Sequence, residues 1–269
     1  MTITQLTKLT RTMRREIIEI SHQNHGSHVG SSFSIIDILA VLYFTVMRVY
    51  PKQPWHANRD RFVLSKGHAA LALYTVLAHR GFFSPKLLQT FLKDGSLLVG
   101  HPEGRTLPGV EATTGSLGHG LSVAAGMALA AKRSGKRNRV FVLLSDGECD
   151  EGEVWEAALF AAHHKLDNLT VIIDYNKLQA LGNTNTVIEL EPFASKWESF
   201  GFLVRQHGGH DLATLTKTLS RLPFRRGKPS VLIAQTTMGK GVSFMEDQLA
   251  WHYLEPTKEH LERAQGELQ

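Results

Sequence analysis

Cysteine is all but missing from this chain. The single Cys149 excludes an internal disulfide and fits a reducing compartment, so a cytoplasmic location is expected. It lies near a predicted helix start, where a thiol can be activated, but a bystander role is favoured. No unbroken apolar run reaches the length of a membrane span. The first residues lack the compact apolar stretch of a secretory leader. Internal repeats, low-complexity tracts and long linkers are missing as well. The 269 residues, 42% of them hydrophobic, are therefore read as a single α/β domain over 1–269. Net charge is +5, but the basic residues are spread out and not interleaved with aromatics, so no nucleic-acid partner is expected. A cationic site for phosphorylated ligands explains the sign equally well.

What is present centres on Val140–Leu178, which reads VFVLLSDGECDEGEVWEAALFAAHHKLDNLTVIIDYNKL. Two β-rich apolar runs, Val140–Leu144 and Leu169–Ile173, flank a segment with helical spacing at Val154, Ala157, Ala158, Phe160 and Ala161. That order predicts a βαβ unit with buried parallel strands. Ligands of such sheets bind beyond the carboxyl ends of the strands, where Asp146 and Asn176 fall. A carboxylate from Asp146, an amide oxygen from Asn176 and a backbone carbonyl at Leu178 are hard oxygen ligands of the kind magnesium takes beside a diphosphate. Gly147 would let the backbone approach a phosphate, and the helix that follows would aim its N-terminus at that anion. Asp-Gly after a strand is also a common turn, and Glu148, Asp150, Glu151 and Glu153 suit any helix start. The Asn that ends a second strand favours the metal site.

The rest of the chain has readable punctuation. Leu6, Leu9, Met13, Ile17 and Ile20 predict an amphipathic helix over residues 4–20. The stretch SHQNHGSHVG should end it, and Ser34 should cap the next helix, through Leu42. His22, His25 and His28 come without Cys or a nearby acid, which disfavours zinc. Arg61–Leu64 reads as a strand ending in Ser65-Lys66-Gly67-His68, with a helix over Ala69–Ala78. Gly100-His101-Pro102-Glu103 reads as a loop. The glycines of TTGSLGHGLS run in the reverse order of the dinucleotide fingerprint, and no strand precedes them, so no nicotinamide site is expected. Leu203–Gln206 and Ser230–Gln235 read as strands, and Thr237–Asp247 as a mobile glycine-rich loop.

The Asp146-to-Asn176 stretch resembles the thiamine-diphosphate motif of the transketolase family, which begins Gly-Asp-Gly and ends in Asn; here Ser145 stands for the first Gly. The resemblance covers nearly the whole chain and is closest to the amino-terminal half of transketolases split into two subunits. It implies a doubly wound, mostly parallel sheet flanked by helices on both faces, the thiamine-diphosphate-binding fold. It implies thiamine diphosphate and Mg2+ (or Ca2+ or Mn2+ substituting) as cofactors. His28, His101 and His252 are then expected to face the sugar and move protons. His68 and His252 would meet the diphosphate, and Gly115, Ser116, Leu117, Gly147 and Asn176 would contact the cofactor. Asp146, Asn176 and Leu178 would hold the metal, and Glu151 and Glu156 would be interface carboxylates between two copies of the site. His210 and Asp211 are read as structural. Val29 replaces a usual Pro, His119 a usual Gln, and Tyr253 a Gly, a change that would stiffen the loop and re-aim the substrate channel.

The implied reaction is transfer of a two-carbon ketol unit from a ketose, phosphorylated or sulfonated, to an aldose. The carboxylate that activates the aminopyrimidine ring is expected on a pyrimidine-binding domain, carried by a carboxy-terminal partner subunit in a heterotetramer with two copies of each chain. Three alternatives stay open: an α-type subunit of a thiamine-dependent synthase or dehydrogenase, a non-catalytic cofactor-binding subunit, and a magnesium-dependent phosphohydrolase.

Overall fold

The computed structural model describes residues 1–269. Its core is a five-stranded sheet of β1 (Arg61–Leu64), β2 (Val140–Ser145), β3 (Leu169–Tyr175), β6 (Leu203–Gly208) and β7 (Ser230–Gln235). The strands lie in the order β1-β2-β3-β7-β6, and every neighbouring pair is parallel. All seven residues of β3 are buried, as expected of a central strand covered on both faces. A two-residue hairpin, β4 (Leu178–Gln179) with β5 (Gly182–Asn183), follows β3 and is the only antiparallel pairing.

Alternation along the strands divides the core in two, because successive side chains point to opposite faces. Phe62, Phe141, Leu143, Ile172 and Leu232 join one cluster with the helices α1 (Ile3–Gln23), α2 (Val29–Val41), α3 (Ala70–Arg80) and α8 (Leu212–Leu219). Val63, Val142, Val171 and Val231 join the other, with α4 (His119–Arg133), α5 (Gly152–His163) and α7 (Phe193–Ser199). The short α6 (Thr184–Val187) and the closing α9 (Lys258–Glu267) complete the helices. Doubly wound parallel architecture is thus the observed fold.

Several boundaries differ from the local reading. α1 runs on to Gln23, through the start of the histidine-rich stretch. α2 starts at Val29 with His28 as its N-cap in the left-handed region, and Ser34 lies inside the helix instead of capping it. Ser34 is fully buried, and its hydroxyl donates to Asp174 Oδ1 at 2.6 Å, so a partner on the sheet sets its role. Val29–Val46 is long and apolar enough to cross a membrane, yet 89% of it is buried within the protein as a core helix. The Thr237–Asp247 segment is not a loose loop: Met238, Val242 and Met245 are buried, and Gly239 N–H donates to the Gly30 carbonyl at 2.9 Å.

Candidate active site

The parallel register carries β1, β2 and β3 to the same edge, where each ends in polar residues. Beyond that edge lies a cleft of about 320 Å³, lined among others by His28, Lys66, His68, His101, Asn176 and His252. Four histidines distant in sequence therefore share one cavity. The His28, His68 and His252 rings form a near-equilateral cluster, with centroid separations of 5.1, 5.2 and 5.3 Å. His101 reaches the cleft by lying over Gly115, where a Cβ would be 3.1 Å from its ring. Tyr74 holds the His101 segment from below, its hydroxyl donating to the Val99 carbonyl at 3.2 Å.

The cluster is electrostatically tuned toward neutral rings. Burial lowers the pKa of His28, with the nearby His101 adding to it. Burial and the Lys66 charge hold His68 well below the usual imidazole range. Burial, His28 and Lys66 bring His252 down to about 4. Neutral imidazoles at pH 7 can accept and return protons. His28 Nδ1 is buried without a hydrogen-bond partner in the chain. By contrast, His22 Nδ1 pairs with the Pro256 carbonyl and His25 faces Glu255, so the three neighbours in sequence do not converge.

Next to the cluster, Asp146 is fully buried, and its Oδ2 accepts the Lys177 N–H at 2.5 Å. That bond seats the carboxylate against the backbone between Asn176 and Leu178. Asn176 Oδ1 accepts the Leu178 N–H at 2.9 Å, while its Nδ2 reaches Ser34 Oγ and Asp174 Oδ2 at 3.3 Å each. Asn176 and Leu178 line the cleft; Asp146 lies beneath it. Burial, and then the Asp174 charge, push the Asp146 pKa up to about 7. Two buried carboxylates this close need a cation, and Lys66 supplies one charge, bonding Asp174 Oδ2 at 2.6 Å. The hard oxygens of Asp146, Asn176 and Leu178 thus fit a divalent ion, and the surplus negative charge gives it a reason to bind.

Other expected contacts are placed differently. Gly147 lines the cleft, but what demands glycine there is the Gln179 side chain, 2.7 Å from where a Cβ would sit. The segment after Asp146 is a 3-10 turn, Gly147–Asp150, and α5 begins only at Gly152, so the long helix does not follow Asp146 directly. Gly115 and Leu117 line the cleft, whereas Ser116 is exposed outside it. Glu151 and Glu156 are exposed on this chain. His119 pairs with Glu153 at 2.9 Å. His210 is held on both ring nitrogens, by Asp37 Oδ2 and by the Thr237 N–H, each at 2.8 Å, which makes it structural.

Three buried charged residues escaped the local reading. Glu148, grouped with solvated acids, is fully buried and accepts from Ser65 Oγ, the Gly118 N–H (2.9 Å) and the Ser145 N–H (3.2 Å). Lys66, at the wall of the cleft, pairs with the buried Asp174. Their one sequence signal was position, since both sit where a strand ends.

Residues 5–259 match the family described as transketolase, thiamine diphosphate binding domain, and the chain belongs to that family. It is 43% identical over 255 residues to an apulose-4-phosphate transketolase subunit of Phocaeicola vulgatus, covering 95% of this chain and 90% of that one. It is 43% identical over 242 residues to the 6-deoxy-6-sulfo-D-fructose transketolase subunit SqwG of a Clostridium species, covering 90% and 88%. Among solved structures, the transketolase of Campylobacter jejuni superposes with a TM-score of 0.94 at 32% identity, covering 100% of this chain and 43% of that one. A Pichia stipitis transketolase in complex with sedoheptulose-7-phosphate gives 0.89 at 27% identity, covering 98% and 40%. This chain thus spans less than half the length of those enzymes.

Proposed function

We propose that this chain is the diphosphate-binding subunit of a two-chain transketolase, which moves a two-carbon ketol unit from a phosphorylated or sulfonated ketose to an aldose. The observation that carries the reading is the meeting of His28, His68, His101 and His252 in one cleft beside Asp146, Asn176 and Leu178. A phosphohydrolase would have no use for such a ring of imidazoles. Bound thiamine diphosphate supplies the electron sink that ketol transfer needs. Asp146, Asn176 and the Leu178 carbonyl would hold Mg2+, with Ca2+ or Mn2+ as substitutes. His68 and His252 meet the diphosphate, and Gly115, Leu117 and Gly147 seat the cofactor. His28, His101 and His252 take protons from the sugar hydroxyls and return them.

Relatives that are themselves named as transketolase subunits support a second chain, and 90% of the length of one of them is matched here. That partner would bring the pyrimidine-binding domain and the carboxylate that activates the cofactor. Glu151 and Glu156, exposed on α5 and its approach, would be covered where two copies of the site meet in a heterotetramer. The location is taken to be cytoplasmic. Calorimetric titration of thiamine diphosphate with magnesium, into the chain alone and with its partner chain, tests the reading. Magnesium-dependent binding that is lost in Asp146→Ala and tightened by the partner supports it. No binding in either setting sinks it.

A further inference from the structure

One lining residue has no part in holding the cofactor or moving protons. Tyr253 borders the cleft, yet it is 60% exposed. Its ring lies 4.7 Å from that of His252 and 5.6 Å from that of His28, centroid to centroid. The ring therefore stands between the histidine cluster and solvent. The hydroxyls of Tyr74 and Tyr175 are held by Val99 and Glu191, whereas that of Tyr253 makes no hydrogen bond within the chain.

Folding does not require this ring where it is. The anchor of the segment is its neighbour Trp251, which is 3% exposed and donates from Nε1 to the Phe244 carbonyl at 3.2 Å. A large aromatic left this open gains little from burial. Its backbone is nonetheless anchored. Tyr253 N–H donates to the Ala250 carbonyl at 3.1 Å, closing the 3-10 turn Leu249–His252. Gly30, in the first turn of α2, meets Trp251 so closely that a Cβ would be 3.1 Å from it. The start of α2, which carries His28, and the turn that carries His252 and Tyr253 are thereby locked together. A ring held at this position by its backbone, with its hydroxyl unpaired within the chain, offers an apolar face to sugar C–H groups and a polar tip to their oxygens.

We infer that Tyr253 is a specificity-determining residue, which contacts the part of the sugar distant from the reacting carbonyl and so favours extended ketoses over short ketol donors. The inference rests on the ketol-transfer reading above. The test uses the complex assembled with its partner chain, as wild type, Tyr253→Phe and Tyr253→Ala. The readout is kcat/KM for sedoheptulose-7-phosphate divided by that for hydroxypyruvate, whose leaving part is a single carboxylate. The ratio is expected to fall about fivefold in Tyr253→Phe, the worth of one hydrogen bond. It should fall by more than about tenfold in Tyr253→Ala, which also loses the ring face. The change should lie mainly in KM, with thiamine diphosphate affinity and circular dichroism unchanged. An unchanged ratio in both variants, or a rise in favour of the longer sugar on trimming, overturns the inference and marks the ring as a filler or a steric gate. A wild-type complex that binds no thiamine diphosphate and transfers ketol units from neither donor overturns the underlying reading, a failure distinct from an unchanged ratio in an active complex.

Discussion

The Lys66 ammonium lies 2.6 Å from the Asp174 carboxylate, and neither side chain is more than 1% exposed. Lys66 lines the cleft, and Asp174 behind it also accepts from Ser34 and Thr236. Breaking one half of such a pair leaves an uncompensated buried charge. Lys66→Met is expected to destabilise the chain by about 3–5 kcal/mol. Urea denaturation of the apo chain checks this, and a loss below about 1 kcal/mol would show the pair to be dispensable.

Ser34 ties this network to the proposed metal site, since its Oγ donates to Asp174 and lies 3.3 Å from the Asn176 amide nitrogen. Groups that orient a metal ligand from behind affect affinity without touching the ion. Ser34→Ala should weaken magnesium-dependent thiamine diphosphate binding by about 10–100-fold. Titration calorimetry at fixed magnesium measures it; unaltered affinity would leave Asn176 oriented by Asp174 alone.

The histidine cluster predicts a pH dependence of stability. His252 falls from 6.5 to about 4, and His28 and His68 move in the same direction. The folded state thus binds protons less readily than the unfolded chain. Stability from these groups is complete above the ordinary imidazole value and is lost as pH falls through the folded values. Between about pH 6.5 and 4, the melting temperature of the apo chain should drop more steeply than that of a His252→Asn variant. Parallel curves for the two proteins would contradict the assigned burial effect.

Proton transfer by His28 and His101 should appear in turnover more than in binding. His28→Ala and His101→Ala are each expected to lower kcat of the assembled complex by about 10²–10⁴-fold while thiamine diphosphate still binds. Steady-state kinetics beside a binding titration separates the two effects. Full turnover in either variant would leave that histidine with only a packing role.

The sheet and the places where its chemistry falls were legible in the order of residues. Strands buried on both faces must be short apolar runs, so β1, β2, β3 and β7 stood out, and Asp146 and Asn176 marked their carboxyl ends. The histidines were legible as loop residues by the same punctuation. Which polar groups are buried, and what they touch, emerged only from the packing of distant segments. Ser34 looked like a helix cap because local spacing carries no trace of Asp174, 140 positions away. Lys66 meets the same carboxylate across 108 positions, and Glu148 looked like one more acid at a helix start. Hydrophobic periodicity reports which face of an element is covered, whereas the partner of a buried polar atom depends on how the covered faces meet.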